Sequence, residues 1–497
     1  MQTLAITTHP LTIQDVINVA RHKYRVELAE DVKERVNRSA NLVQKFIDEE
    51  RVIYGITTGF GKFSDVSISK EDFAVLQRNL IVSHSTGVGD YLDPEVVRAI
   101  IVLRINALSK GHSGIRLQTL DELMTLLNED IIPCIPEKGS LGASGDLAPL
   151  SHMVSVLLGE GKCYYQGEII PAKEMLERRG KKPYELYAKE GLALINGTQV
   201  MNAIGTLALY DAKRLLERSL VVFGITMETL QGIKDVFDPR LHQLRNQEGQ
   251  QEVAAKMLEI LKDSKRVSRQ GELRVQDAYS LRCSPQVLGA SLDALNYVEG
   301  IVTNEINAVT DNPIIFEEDE VAISGGNFHG QPLALAFDFL GIAVSELGNI
   351  SERRIERLVN PQLSGLPGFL TEKPGLHSGF MIAQYSAAAL VSENKVLAHP
   401  ASVDSIPSSA NQEDHVSMGT IAARKARQIL TNVEYVLAIE FLCGCQGIDI
   451  TKAQNEMATK TKSFYDALRQ QVPKLEDDRF LADDFVLARE ILLKEHE

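Results

Sequence analysis

The sequence of 497 residues predicts a mostly α-helical fold: a large helical bundle with a Gly-rich N-terminal part and minor β structure. Runs after residue 196 carry apolar residues at steps of three and four, the spacing of one helix face. Glycines punctuate the first 200 residues, and only short helical runs lie between them. No low-complexity linker or internal repeat interrupts the chain. We therefore expect one continuous unit with an approximate boundary between residues 1–200 and 201–497.

The N-terminal part is predicted to contain short helices and one hairpin. Residues 94–109 and 116–128 have helical patterns and lie between glycine-containing segments. In residues 162–170, a run containing two tyrosines is followed by the turn pair Gln166-Gly167 and a second apolar run. Two short runs separated by such a pair are typical of a β-hairpin.

The second part is predicted to be a bundle of long helices. In residues 284–309, Ser284 can cap the helix and Pro285 suits its first turn. Residues 331–359 are apolar on nearly every side in their first half, and a helix of this kind is buried among other helices. The extensive apolar faces favour subunits that pack bundle against bundle, so residues 201–497 are the predicted oligomerisation core.

Composition excludes several classes of partner. The chain has 52 Lys and Arg against 67 Asp and Glu, a formal net charge of −15, whereas nucleic acid and anionic membranes need a basic face. Five cysteines without a CxxC pair predict reduced thiols and a cytoplasmic location. We expect no metal site, because no HExxH motif or zinc-spaced His pair occurs. The first residues lack a signal-peptide pattern, and the apolar residues 332–344 are too few to span a bilayer.

The tripeptide Ala143-Ser144-Gly145 is the strongest candidate for chemistry. Because standard side chains are poor electrophiles, enzymes that need an electrophile recruit a cofactor. Here the backbone itself can supply one: the amide nitrogen of Gly145 attacks the carbonyl carbon of Ala143, and loss of water from Ser144 leaves a methylidene group. Glycine is needed as the attacking residue because a side chain would block the bend. The bare tripeptide also fits an ordinary turn that enters a helix, and Asp146 fits either assistance to ring closure or helix capping.

The sequence around this tripeptide resembles the aromatic amino acid ammonia-lyases over nearly the entire chain. The resemblance rests on residues 139–152 and 194–199 and on further blocks at 54–61, 276–283, 325–330 and 405–415. It implies the electrophile 4-methylideneimidazol-5-one (MIO), formed from Ala143-Ser144-Gly145, with no external organic cofactor. It also implies a catalytic N-terminal part, a mostly helical fold and a homotetramer whose active sites are shared between subunits.

The resemblance carries further roles onto single residues. Tyr54 matches the catalytic general base of the family, and Arg282 matches the arginine that binds the substrate carboxylate with its planar fork. Phe328 matches the aromatic residue beside the MIO ring. Three polar residues match positions around the substrate and the electrophile: Asn196, Gln276 and Tyr279. Of these, Tyr279 is grouped with the catalytic residues.

The surroundings of Tyr54 are predicted to form a mobile lid. Gly55, Gly59 and Gly61 follow it closely, and such a loop suits closure over a site. Thr57 departs from the family, which more often has Asn at this position, and this departure bears on the hydrogen bonding of the lid.

Two residues bear on substrate choice. His84, preceded by Ser83, matches the histidine-specific members of the family, although some tyrosine lyases and aminomutases share this pair. Glu413 matches the residue that meets the substrate imidazole, and a carboxylate accepts the imidazole N–H well. Together they imply elimination of ammonia from L-histidine to give trans-urocanate, a step of histidine catabolism. A tyrosine ammonia-lyase or an aminomutase is the alternative within the family, and an inactive helical assembly protein is the alternative from another class. Whether Glu413 also takes part in proton transfer stays open.

Overall fold

The computed structural model describes residues 2–59 and 72–494. Within these ranges the chain forms nineteen α-helices and nine short β-strands. The predicted mostly helical class with minor β structure is therefore confirmed.

Short elements dominate the N-terminal 200 residues. Their helices are α1 (Ile13–Ala20), α2 (Glu30–Asp48), α3 (Phe73–His84), α4 (Pro94–Leu108), α5 (Leu117–Asn128), α6 (Leu147–Ser155), α7 (Ala172–Arg178) and α8 (Glu190–Ile195). The strands of the described chain are β1 (Thr3–Ile6), β2 (Arg25–Leu28), β3 (Val88–Tyr91), β4 (Ile132–Pro133), β5 (Pro136–Lys138), β6 (Lys162–Tyr165), β7 (Glu168–Pro171), β8 (Ile314–Phe316) and β9 (Val321–Ile323).

Longer helices follow residue 198. They and the short helices between them are α9 (Gln199–Thr229), α10 (Pro239–Arg245), α11 (Glu248–Ile260), α12 (Tyr279–Arg282), α13 (Ser284–Ile306), α14 (Gln331–Val359), α15 (Pro361–Ser364), α16 (Met381–Leu397), α17 (Gly419–Thr451), α18 (Thr459–Arg469) and α19 (Leu481–Leu493). The predicted helix at 284–309 begins at Ser284 as expected and ends three residues early. The side chain of Asn307 there pairs with the backbone of Leu11, donating to its carbonyl and accepting from its N–H.

Helix α14 is long and apolar enough to cross a membrane by length and composition alone. However, 72% of its most apolar stretch is buried inside the protein. Burial of that kind is typical of a core helix that is apolar on all sides.

The chain forms two compact units. The first comprises Met1–Leu207, Glu299–Phe337 and Pro400–Arg424, and the second comprises Ala208–Val298, Asp338–His399 and Lys425–Glu497. Four of the boundaries fall within the helices α9, α13, α14 and α17. The division of the sequence at residue 200 stays a prediction.

The strands form small, separate sheets. β1 pairs with β2 in parallel, β3 with β5 and β8 with β9 in antiparallel fashion, and β4, β6 and β7 form an antiparallel sheet in that order. β6 and β7 are the predicted hairpin. Its turn places Gln166 at φ 53° and Gly167 at φ 86°, the left-handed conformation that two-residue hairpin turns require.

Three helices of the first unit, α3, α6 and α8, pack against one another. α3 ends with His84, α6 follows the tripeptide, and α8 ends one residue before Asn196. Their packing therefore brings three sequence-distant segments with predicted site residues into one region of the unit.

Candidate active site

A cavity of about 1270 Å³ lies in the first unit. Seven of the predicted site residues line it: Tyr54, His84, Ala143, Ser144, Asn196, Phe328 and Glu413. These residues come from six separate stretches of the sequence, so the fold gathers most of the predicted site in one place.

The tripeptide lies in the loop between β5 and α6, where Gly145 forms a backbone bridge with Gly197. Gly145 has φ 71°, and a Cβ atom at this position would overlap the Gly197 carbonyl and lie 2.8 Å from Gly197 Cα. A side chain at residue 145 is thus excluded by backbone rather than by a movable neighbour. The prediction that this position needs glycine is consistent with that contact.

Asp146 is fully buried and anchors the loop. Its N–H donates to Gly197 O at 2.7 Å. One carboxylate oxygen accepts the N–H groups of Val200 (3.0 Å) and Met201 (2.9 Å), and the other accepts hydrogen bonds from the Ser140 (2.8 Å) and Thr420 hydroxyls. Burial raises the pKa of Asp146 above the ordinary aspartate value, and these donors oppose the rise.

The contacts of Asp146 decide which helix it caps. Val200 and Met201 belong to the first turn of α9, whose free N–H groups need acceptors. Its carboxylate makes no capping hydrogen bond to α6, the helix that directly follows it. Asp146 therefore caps a helix that begins 53 residues later in the sequence, with hydrogen bonds that span 54 and 55 residues.

Ser144 has polar partners on both its side chain and its backbone. Its Oγ donates to Glu413 Oε1 at 2.9 Å. Asn196 Nδ2 donates to the carbonyl oxygen of Ser144, also at 2.9 Å. The second carboxylate oxygen of Glu413 accepts a hydrogen bond of 2.9 Å from Ser408 Oγ. A carboxylate and an amide thus converge on Ser144, and a second hydroxyl holds the carboxylate.

His84 lies at the end of α3 and lines the same cavity. Its Nδ1 is 3.1 Å from Ser83 Oγ. Burial lowers the pKa of His84 below the ordinary imidazole value, against a backbone hydrogen bond at Leu80 and the charge of Glu413, both of which raise it. The neutral imidazole is therefore favoured.

Tyr54 is half-buried and lines the cavity from the segment after α2. Nearby, the hydroxyl of Thr57 accepts the Ile53 N–H at 2.9 Å and donates to Arg51 O at 2.7 Å. Thr57, the departure from the family, thus makes two local hydrogen bonds that close the turn. The predicted lid extends to Gly61, which lies outside the described residues.

The cavity wall includes residues to which the sequence reasoning assigned no role. The rings of His329 and His415 stack with 5.3 Å between centroids, and His329 Nε2 is 3.2 Å from His415 Nδ1. Asn312 also lines the wall and accepts the Gly325 N–H at 2.7 Å. His329 directly follows Phe328, and His415 comes two residues after Glu413. This closeness in sequence to predicted site residues was the signal that could have identified the two histidines. Over residues 2–59 and 72–494, no group of three or more metal-ligating side chains is arranged to hold a metal ion.

Three predicted residues belong to the second unit and do not line this cavity: Gln276, Tyr279 and Arg282. Arg282 Nε donates to Asp277 O at 2.9 Å, and its guanidinium lies 4.5 Å from the centre of the Tyr279 ring. Gln276 is exposed, and 69% of Tyr279 is exposed. Gln276 and Tyr279 are therefore exposed on their own unit, and the half-buried Arg282 lies against the Tyr279 ring.

The helical fold places the half-buried Ala-Ser-Gly loop at a cavity whose wall carries polar side chains from several distant segments. The aromatic amino acid lyase family matches residues 11–470 of the chain. The chain belongs to this family, which confirms the predicted membership and the prediction of an enzyme of the lyase class.

Individual relatives are similar along nearly their whole length. Histidine ammonia-lyase from Alkaliphilus oremlandii is 59% identical over 484 residues, 97% of this chain and 95% of that protein. The crystal structure of histidine ammonia-lyase from Trypanosoma cruzi is 41% identical with a TM-score of 0.92, and the match covers 99% of this chain and 93% of that chain. Tyrosine aminomutase from Streptomyces globisporus is 39% identical with a TM-score of 0.95, over 99% of this chain and 97% of that chain.

Proposed function

We propose that the chain eliminates ammonia from L-histidine to give trans-urocanate. The observation that carries this proposal is the hydrogen bond between Ser144 and Glu413, because it joins the residue of the electrophile to the carboxylate expected to bind imidazole. The relatives named histidine ammonia-lyase, at 52–59% identity, support the same substrate.

The residues present fit an MIO group formed from the tripeptide. Gly145 has no room for a side chain, and Asn196 holds the carbonyl of Ser144. When formed, the group supplies an electrophile that captures the substrate amine and makes it a better leaving group. Two residues of the chain have further roles: Tyr54 would remove the β-proton as general base, and Phe328 would flank the MIO ring.

Recognition of the imidazole is assigned to Glu413 and His84. An imidazole offers one N–H donor and one acceptor nitrogen. The Glu413 carboxylate accepts the donor, and the neutral His84 imidazole offers a further polar partner. A phenyl ring would offer these half-buried polar groups no hydrogen bond, which disfavours phenylalanine.

A homotetramer with shared active sites is part of the proposal. The described residues that line the cavity include no Lys or Arg, whereas the substrate carboxylate needs a cation. Arg282 is a suitable partner: it is half-buried in the second unit, close in sequence to the exposed Gln276 and Tyr279. We infer that a neighbouring copy supplies these three residues to each cavity.

The substrate is tested by incubation with histidine, tyrosine and phenylalanine under ultraviolet detection. Urocanate from histidine supports the proposal. Coumarate from tyrosine, or a β-amino acid found by mass spectrometry, would instead support a tyrosine lyase or an aminomutase. An unmodified tripeptide, seen as an unchanged intact mass, would support an inactive helical assembly.

Shared sites are tested by co-expression of two inactive variants, Ser144→Ala and Arg282→Ala. If each cavity draws these residues from different copies, random assembly gives about one quarter of sites with both residues intact. Activity should then return in the mixture although each variant alone is inactive. No recovery in mixed tetramers would mean that one chain supplies both residues.

A cytoplasmic location is also part of the proposal. The five free cysteines support a reducing compartment of this kind.

A further inference from the structure

Residue 144 is encoded as a serine, the starting point from which any electrophile must form. The hydroxyl of Ser144 donates to Glu413 Oε1 at 2.9 Å. The same hydroxyl is the group that must leave as water when a methylidene forms.

The loop that carries Glu413 is built to hold its carboxylate in place. Backbone hydrogen bonds join Ser408 N to Glu413 O at 2.9 Å and Glu413 N to Ser408 O at 3.3 Å. Three of the four residues between them, Ser409, Ala410 and Asn411, have φ values of 50°, 52° and 66°. Three consecutive non-glycine residues in the left-handed region are strained, and such strain gathers at functional sites. The Ser408 hydroxyl then fixes the second carboxylate oxygen.

Asn196 prepares the other end of the same residue. Its amide donates to the carbonyl oxygen of Ser144 at 2.9 Å. A donor on a carbonyl oxygen stabilises the negative charge that develops there when the adjacent Cα loses its proton. The Cα–H bond of Ser144 is therefore made more acidic beside a carboxylate that touches its hydroxyl.

We propose that Glu413 is the acid–base group that dehydrates Ser144 during formation of the electrophile, a task separate from substrate binding. This inference rests on the proposed function, since it concerns how the MIO group arises. Asp146 is the other carboxyl group near Ser144 that could act as this acid–base group. However, each of its oxygens already accepts two hydrogen bonds, from the first turn of α9 and from the Ser140 and Thr420 hydroxyls.

The step balances without any further reactant. After ring closure, the Glu413 carboxylate takes the Cα proton of Ser144, and the electron pair of that bond passes to the carbonyl oxygen held by Asn196. The pair then returns to form the Cα=Cβ double bond as the Cβ–Oγ bond breaks. Glu413 gives its proton to the departing oxygen, which leaves as water, and the carboxylate is restored.

The test follows intact mass during cell-free synthesis, with each mass compared with that of the unmodified sequence. The wild-type chain should lose about 36 Da, two waters, one from ring closure and one from Ser144. Glu413→Gln keeps the size of the side chain and one acceptor oxygen but cannot carry the proton. It should accumulate a species about 18 Da light and lose the second water about 100-fold more slowly or worse. Asp414→Asn removes a neighbouring carboxylate of the same cavity and is the matched control, with maturation at the wild-type rate.

The outcomes separate this inference from the function on which it rests. An unchanged mass in the wild-type chain defeats the MIO proposal itself. A wild-type loss of two waters that Glu413→Gln reproduces at the same rate overturns only the role of Glu413. If Glu413→Gln lacks the native circular dichroism, Ser408→Ala decides the matter. That variant keeps the carboxylate but frees one of its oxygens, so the second loss should slow several-fold, and an unchanged rate contradicts the proposal.

Discussion

The backbone contact between Gly145 and Gly197 makes a quantitative prediction for Gly145→Ala. The new Cβ would overlap the Gly197 carbonyl and lie 2.8 Å from its Cα, so one of the two backbone segments must move. Such movement breaks the buried 2.7 Å hydrogen bond from Asp146 N to Gly197 O. An unpaired buried group costs about 1–3 kcal/mol, overpacking costs about 1–3 kcal/mol, and alanine in the left-handed region costs about 1–2 kcal/mol. We expect a total loss of about 3–8 kcal/mol in the free energy of unfolding.

Gly167→Ala is the matched control, because it imposes the backbone strain without the contact. Gly167 has φ 86°, and no atom lies within 4 Å of the position where its Cβ would stand. This variant should lose only about 1–2 kcal/mol. Urea unfolding followed by circular dichroism measures both variants, and intact mass shows whether the tripeptide still matures. Equal losses of stability, or full maturation of Gly145→Ala, would refute the steric reasoning.

Three further predictions concern single side chains. Ser144→Ala removes the leaving hydroxyl, so we expect a folded chain that loses at most one water and nearly all activity; near-normal turnover would contradict the electrophile. Glu440→Ala leaves the fully buried Arg354 without its carboxylate partner. Urea unfolding should show a loss of about 3–5 kcal/mol in the free energy of unfolding, and a loss below about 1 kcal/mol would contradict this prediction. Because burial lowers the pKa of His84, its contribution to stability is present above the ordinary value near pH 6.5 and is lost as pH falls toward the lower folded pKa. In His84→Gln, the midpoint of urea unfolding should fall less steeply as the pH decreases below the ordinary histidine pKa. An unchanged pH dependence would contradict this role of His84.

Local sequence signals predicted the helices well. Ser284 and Pro285 marked the start of α13, and the all-round apolar pattern marked α14 from Gln331 to Val359. The hairpin turn followed from Gln166-Gly167. In each case the deciding physics, capping, apolar period or turn conformation, acts within a few residues of the signal.

Contacts between distant segments were beyond such signals. Asp146 was expected either to cap or to assist ring closure, and the capped helix is α9 because its carboxylate reaches 54 residues along the chain. Glu413 was expected to meet a substrate imidazole, whereas its bond to Ser144 spans 269 residues and has no local pattern. The positions of Gln276, Tyr279 and Arg282 outside the cavity likewise depend on tertiary structure, which composition and periodicity do not encode.

Because Asp146 caps α9, the proposed modification of the tripeptide would also report whether a chain has folded. The bent form of the loop is held by hydrogen bonds from the first turn of α9, 54 and 55 residues further along the chain. On the proposed chemistry, each molecule that attains this arrangement is marked permanently by a lighter covalent mass. The mark would survive later denaturation, unlike fluorescence or circular dichroism. Mass spectrometry of a fully denatured sample would then count how many chains had once folded, including those that later aggregated.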